Sequence, residues 1–288
     1  MALRDLLVYL DQTSRSPARL QLVADLARRN GSRITALYVR EWSPAQLAHR
    51  RTAELAGRPF ADVEALDCAA EDSIDQSALE ARAALERLAV QYGLETEWRM
   101  VRGEARIVLP QHARYADLCI LDTQMPAMSS SSGDNRLSEE ILFTAGRPVL
   151  LMPQTGDFST LGAHVAVAWN SSRAAARALN DALPLLEHSQ QTTVITVNAR
   201  DFVERPGALP LPKLLAHLQR HGISARSIEL PDVSPAEIAD TLQEQARAAG
   251  ADILVAGAHG HTWLHEVLLG SVTRDLLSRL RLPVMMSH

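Results

Sequence analysis

Residues 251–273 read ADILVAGAHGHTWLHEVLLGSVT, and the fold is decided there. The apolar run Ile253-Leu254-Val255-Ala256 has the length and composition of a buried strand, and it stops at Gly257, with Gly260 three residues on. Gly270 and Ser271 follow, and after them Val272, Leu276, Leu277 and Leu280 are spaced as the apolar stripe of an amphipathic helix. Ser271 is the expected N-cap of that helix. A strand that runs through glycine turns into a helix start suits an anion. Glycine lets the backbone come close to a phosphate, and the helix N-terminus offers unpaired N–H groups with partial positive charge.

Outward from this stretch the chain alternates strand and helix. Leu6–Leu10, a helix starting near Pro17 and Ile34–Val39 form one βαβ unit, which implies a parallel sheet with right-handed crossovers. A helix over about 74–92, strands at 94–101, 118–121 and 148–152, and helices near 105–115 and 138–145 complete the first half. Strands at 165–169, 192–197, 223–230, 252–256 and 283–286 repeat the plan, with helices after Asn170 and over about 235–249. Ala116-Asp117-Leu118 matches Ala251-Asp252-Ile253, and Arg147-Pro148-Val149 matches Leu282-Pro283-Val284, both at an offset of 135 residues. One α/β unit is therefore present twice: residues 1–153, a linker at 154–162, and residues 163–288. Residues 40–73, alanine-rich and increasingly acidic, carry at most a short helix near 44–55, and 128–135 read as a serine-rich loop.

At the same offset Gly257, Gly260, Gly270 and Ser271 fall opposite Asp122, Met125, Asn135 and Arg136. The anion site is thus expected in the second half only, because a carboxylate and bulkier side chains replace the glycines of the first.

Composition narrows the function. The net charge of −5 comes without a basic half, which argues against nucleic acid and anionic membrane as partners. One lysine, Lys213, stands against 28 arginines, and no Gly-Lys-Ser/Thr loop occurs. Cys68 and Cys119 lack metal-type spacing and read as thiols of a reducing compartment. No membrane span or signal peptide is legible, so a cytoplasmic location is expected. His259, His261 and His265 beside Glu266 are read as solvated loop residues rather than metal ligands. No acyl-transfer or metalloprotease motif appears, so no catalytic residue is assigned.

The spacing G-x2-G-x9-G-S, with the histidine at 259 and the run Gly270-Ser271-Val272-Thr273, resembles the nucleotide-binding signature of the universal stress protein family. The resemblance implies tandem open-sheet, Rossmann-like α/β domains. It also implies that their last strands pair, so that the two repeats form an internal pseudo-dimer, with a homodimer an open question. Its ligand would be an adenine nucleotide, ATP with or without Mg. Ala168, Asn170 and Val197 would line the nucleoside end, and Gly257, His259, Gly260, Gly270, Ser271, Val272 and Thr273 would hold ribose and phosphates. The chain departs from the family where Asn170-Ser171 stands in place of aspartate and glycine. A stress-linked sensor or regulator is the leading expectation. The alternatives are a slow ATPase or self-phosphorylating protein, with Ser271 or Thr273 as acceptor, and a nucleotide-free scaffold.

Overall fold

The computed structural model describes residues 2–10, 16–40, 48, 52, 76–122, 136–153, 155–156, 158–199, 209–258, 260–263 and 266–288. The expectations for residues 41–73, apart from 48 and 52, and those for Met125, the 128–135 loop, His259 and His265 lie outside the described residues.

The first half runs β1 (Asp5–Leu10), α1 (Ser16–Asn30), β2 (Arg33–Arg40), α2 (Gln76–Tyr92), β3 (Thr96–Arg102), α3 (Ala105–Ala113), β4 (Leu118–Asp122), α4 (Arg136–Thr144) and β5 (Val149–Met152). The second half runs β6 (His164–Ala168), α5 (Arg173–Glu187), β7 (Gln191–Val197), α6 (Leu211–Arg220), β8 (Ala225–Leu230), α7 (Ile238–Ala248) and β9 (Ile253–Gly257). A hairpin of β10 (Gly260–Trp263) and β11 (Glu266–Leu269) follows, then α8 (Ser271–Ser278) and β12 (Val284–Ser287).

The major strands form one ten-stranded sheet in the order β3-β2-β1-β4-β5-β12-β9-β6-β7-β8. Each half keeps the same internal order and is parallel throughout, and the halves meet where β5 and β12 pair antiparallel. The tandem Rossmann-like architecture, closed as an internal pseudo-dimer, is therefore a single sheet. The reason lies in the strands themselves. Val149, Leu150 and Leu151 and their counterparts Val284, Met285 and Met286 are apolar on both faces, and all are 0% exposed. Such a strand cannot end a sheet in water, and pairing with its repeat covers it on both sides.

One core layer packs α1, α2, α5 and α6 on one face, and the other packs α3, α4, α7 and α8 on the opposite face. An aspartate at the start of β9 locks the second half's strand ends together. Asp252 accepts hydrogen bonds from Thr160 Oγ1 (2.6 Å) and from the backbone N–H groups of Gly162, Ala163 and His164. Asp117, its counterpart, accepts from Arg4 and Asp5 N–H in the same way.

Two elements differ from the expectation. α6 was not read from the sequence, although Pro210 caps it and Leu211, Leu214, Leu215 and Leu218 have helical spacing before Gly222. The stretch between Gly260 and Gly270, expected as open loop, contains a β-hairpin in which Gly260 pairs with Leu269. Thr262, Trp263 and Val267 are strand formers, and here their preference outweighs the flanking glycines.

Candidate functional site

In each half the strand order reverses between the first and fourth strands, and in open α/β sheets ligands bind beyond the carboxyl ends of the strands at that switch point. In the second half the switch point lies between β6 and β9, and a cavity of about 300 Å3 opens there. That is the low end of the range for small-molecule sites, ~300–1,000 Å3.

The cavity is built from three strand ends and three helix starts. β6 supplies Ala168, Trp169 and Asn170; β7 supplies Ile195, Val197 and Asn198; β9 supplies Ala256 and Gly257. Ala175 of α5, Ile238 and Leu242 of α7, and Leu276 of α8 close the apolar side. Gly270, Ser271, Val272 and Thr273 form the rim at the start of α8.

Three helices, α5, α7 and α8, thus begin at the cavity, and Glu237, the N-cap of α7, makes no side-chain cap bond. α5 is capped by its own residues: Ser172 Oγ accepts from Ala175 N–H at 3.1 Å, and Asn170 Oδ1 accepts from Ser172 N–H at 3.1 Å. α8 is not. Its N-cap is Gly270, in extended conformation at φ −61° and ψ 148°, with no side-chain cap bond. The expected N-cap, Ser271, is the first helical residue, because Arg274 N–H already bonds to Gly270 O. The positive end of α8 therefore faces the cavity, and its N-cap residue contributes no side-chain cap.

Gly257 has a second reason to be glycine. A Cβ at this position would lie 2.4 Å from the backbone C of Ala174 and N of Ala175. Its missing side chain admits the first turn of α5 against β9, which brings that turn to the cavity. Ser171 sits at φ 58°, the left-handed region that favours glycine, so the glycine of the family pattern answers a backbone requirement this chain meets with strain.

Of the residues singled out from sequence, Ala168, Asn170, Val197, Gly257, Gly270, Ser271, Val272 and Thr273 line this cavity. Gly260 begins β10, and His259 lies outside the described residues. The apolar floor of Ile238, Leu242 and Leu276 was missed, and so was Asn198 as a clamp. Asn198 Nδ2 donates to Val233 O at 2.7 Å and its Oδ1 accepts from Val233 N–H at 2.8 Å, which ties the turn after β8 to the end of β7.

The first half shows what happens to the equivalent space. The sheet registers place Tyr9 where the second half has Ala168, and Leu37 and Val39 where it has Ile195 and Val197. Tyr9 is buried with Leu37, Val39, Ala105, Leu109, Leu121 and Ile141. The phenol ring thus belongs to the core where Ala168 leaves a void. Asp122, opposite Gly257, forms a buried ion pair with Arg19 of α1, and Arg19 Nη1 also donates to Tyr9 O at 2.6 Å. A residual space of about 190 Å3 beside the pair is lined by Ala18, Leu22, Met152, Pro153, Gly156 and Phe158.

An open parallel sheet with a glycine-edged cavity at its switch point places the chain in the Rossmann-like class of α/β folds. Residues 163–288 match the model of the universal stress protein family, so the second half of the chain belongs to that family. The crystal structure of a universal stress protein from Archaeoglobus fulgidus DSM 4304 is similar over 100% of this chain and 99% of its own, with TM-score 0.69 at 15% identity. A functionally unknown protein from Pseudomonas aeruginosa PAO1 is similar over 99% of this chain and 92% of its own, with TM-score 0.60 at 15% identity. The tandem fold is therefore shared along the whole chain. Among curated proteins none matches. No helix among the described residues is long and apolar enough to cross a membrane.

Proposed function

We propose that this protein binds an adenine nucleotide, ATP, in the second half and acts as a stress-linked sensor or regulator through the occupancy of that site. The observation that carries the reading is the contrast between the halves. The second has a cavity with an apolar inner end for a base and a helix N-terminus for phosphates, and the first fills the same space with Tyr9 and the Arg19–Asp122 pair. Ala168, Ile195 and Val197 suit the flat apolar face of a purine, and Asn170 offers both a donor and an acceptor to sugar hydroxyls. Gly270, Ser271, Val272 and Thr273 suit the phosphates.

Calorimetric titration of ATP into the full chain, beside an Ala168→Tyr variant, tests the reading. The expected result is one ATP per chain, with binding lost when the tyrosine of the first half is copied into the second. Two ATP per chain, or unchanged binding in Ala168→Tyr, would refute the assignment. The same mixture with Mg, assayed for released phosphate, separates a binding module from a hydrolase.

A further inference from the structure

A second cavity, about 590 Å3, lies between α5 and α6, and Trp169 lines both it and the first. Its chemistry is different. Lys213, His217 and Arg220 occur at i, i+4 and i+7 on α6, so they form one stripe along the cavity. Trp169, Leu209 and Leu214 give it an apolar lining, and Leu209 is 68% exposed.

Among the described residues the stripe is short of counter-charge. Across the cavity Arg177 is already paired, with Asp181 at 2.9 Å, but no carboxylate among the described residues pairs with Lys213 or Arg220. Burial and the neighbouring His221 and Arg220 hold the His217 imidazole below its usual pKa. In a chain of net charge −5 the single lysine lies here.

We propose that this cavity binds an amphipathic anion, a small molecule with an apolar body ending in a carboxylate. The body packs on Trp169, Leu209 and Leu214, and the head lies between Lys213 and Arg220. Beside an apolar body that excludes water, such contacts are worth more than the same charges in bulk solvent. Because Trp169 is a wall of both cavities, occupancy here reaches the first cavity through one side chain.

The test uses the full chain with two probes, anilinonaphthalene sulfonate for fluorescence and decanoate as competitor. One saturable probe site, displaced by decanoate and far less by decanol, is expected. Lys213→Glu/Arg220→Glu, two exposed positions whose folding is checked by circular dichroism, should weaken the probe at least tenfold. Decanoate should also raise the His217 pKa followed by NMR and change tryptophan emission in the parent but not in Trp169→Phe. Unchanged affinity in the double variant, or equal displacement by decanol, would overturn the proposal. Displacement by ATP alone would place the probe in the first cavity and overturn it too. So would co-sedimentation with phosphatidylglycerol vesicles in the absence of saturable decanoate binding, which would make this face a membrane surface.

Discussion

Position 122 is a carboxylate in one repeat and a glycine at its counterpart, and the two solve the same packing problem differently. Asp122 is 5% exposed and Arg19 3%, so each buried charge is offset by the other. Removing one partner of such a buried pair costs about 3–5 kcal/mol, whereas apolar replacement of both is often near neutral. Urea unfolding should therefore show a large loss in Asp122→Ala and a much smaller one in Arg19→Met/Asp122→Leu; a double variant no better than the single would mean that the pair is not the source. The carboxylate was legible in the sequence as an obstacle to phosphate. Its partner was not, because 103 residues separate them and no local pattern links them. Ser171 tells the opposite story. The family glycine marked the position, and φ 58° supplies the reason. An L-residue in that region costs ~1–2 kcal/mol, against ~0.5–1 for the extra chain freedom of glycine, so Ser171→Gly should raise stability by roughly 0.5–1 kcal/mol. A lower urea midpoint in that variant would contradict this account.

Elements were most legible where apolar runs and glycines coincide, and least where charge interrupts an amphipathic pattern. β4, β5, β9 and β12 follow one another at a constant offset of 135, so their equivalence could be read directly from the sequence. α6 could not be read as easily, since Lys213, His217 and Arg220 break up its leucines, and those three residues are what give the helix its interest. The apolar end of the first cavity was hidden for another reason: Ile238, Leu242 and Leu276 read only as core positions of α7 and α8. α6 also carries a pH dependence. His217 is held below the usual histidine value, first by burial and then by His221 and Arg220, while Lys213 and Arg177 also line its cavity. As pH falls below about 6.5 the unfolded chain takes up its proton before the folded one does, so this contribution to stability is present above that value and is lost as pH falls through the folded value. The drop in Tm between pH 7 and pH 5 should therefore be smaller in His217→Gln than in the parent. An equal drop would assign it to other groups, of which His112, also lowered by burial, is the first to examine.

At the scale of the whole molecule, the seam between β5 and β12 turns two repeats into one sheet, and its register is self-complementary. Met285 faces Leu150, its own counterpart at the offset of 135, and Val284 faces Leu151 while Met286 faces Val149. A pseudo-two-fold axis thus passes through the central pair, and each strand meets the strand that replaces it in the other repeat. An isologous contact of this kind is closed and uses the same patch on both sides. β12 could therefore pair with a second β12 as it pairs with β5, Val284 to Met286 and Met285 to Met285. Residues 163–288 expressed alone are expected to form a dimer through that strand, because a strand buried on both faces would otherwise become an exposed edge. Light scattering after size exclusion should give twice the fragment mass, and Met285→Lys should abolish the dimer by placing two like charges at its centre. The same substitution in the full chain sets a lysine against Leu150 and should lower stability without creating a monomer–dimer equilibrium. A monomeric, well-folded fragment would show that β12 is covered in some other way, and that the seam depends on the covalent link between the repeats rather than on the strands themselves.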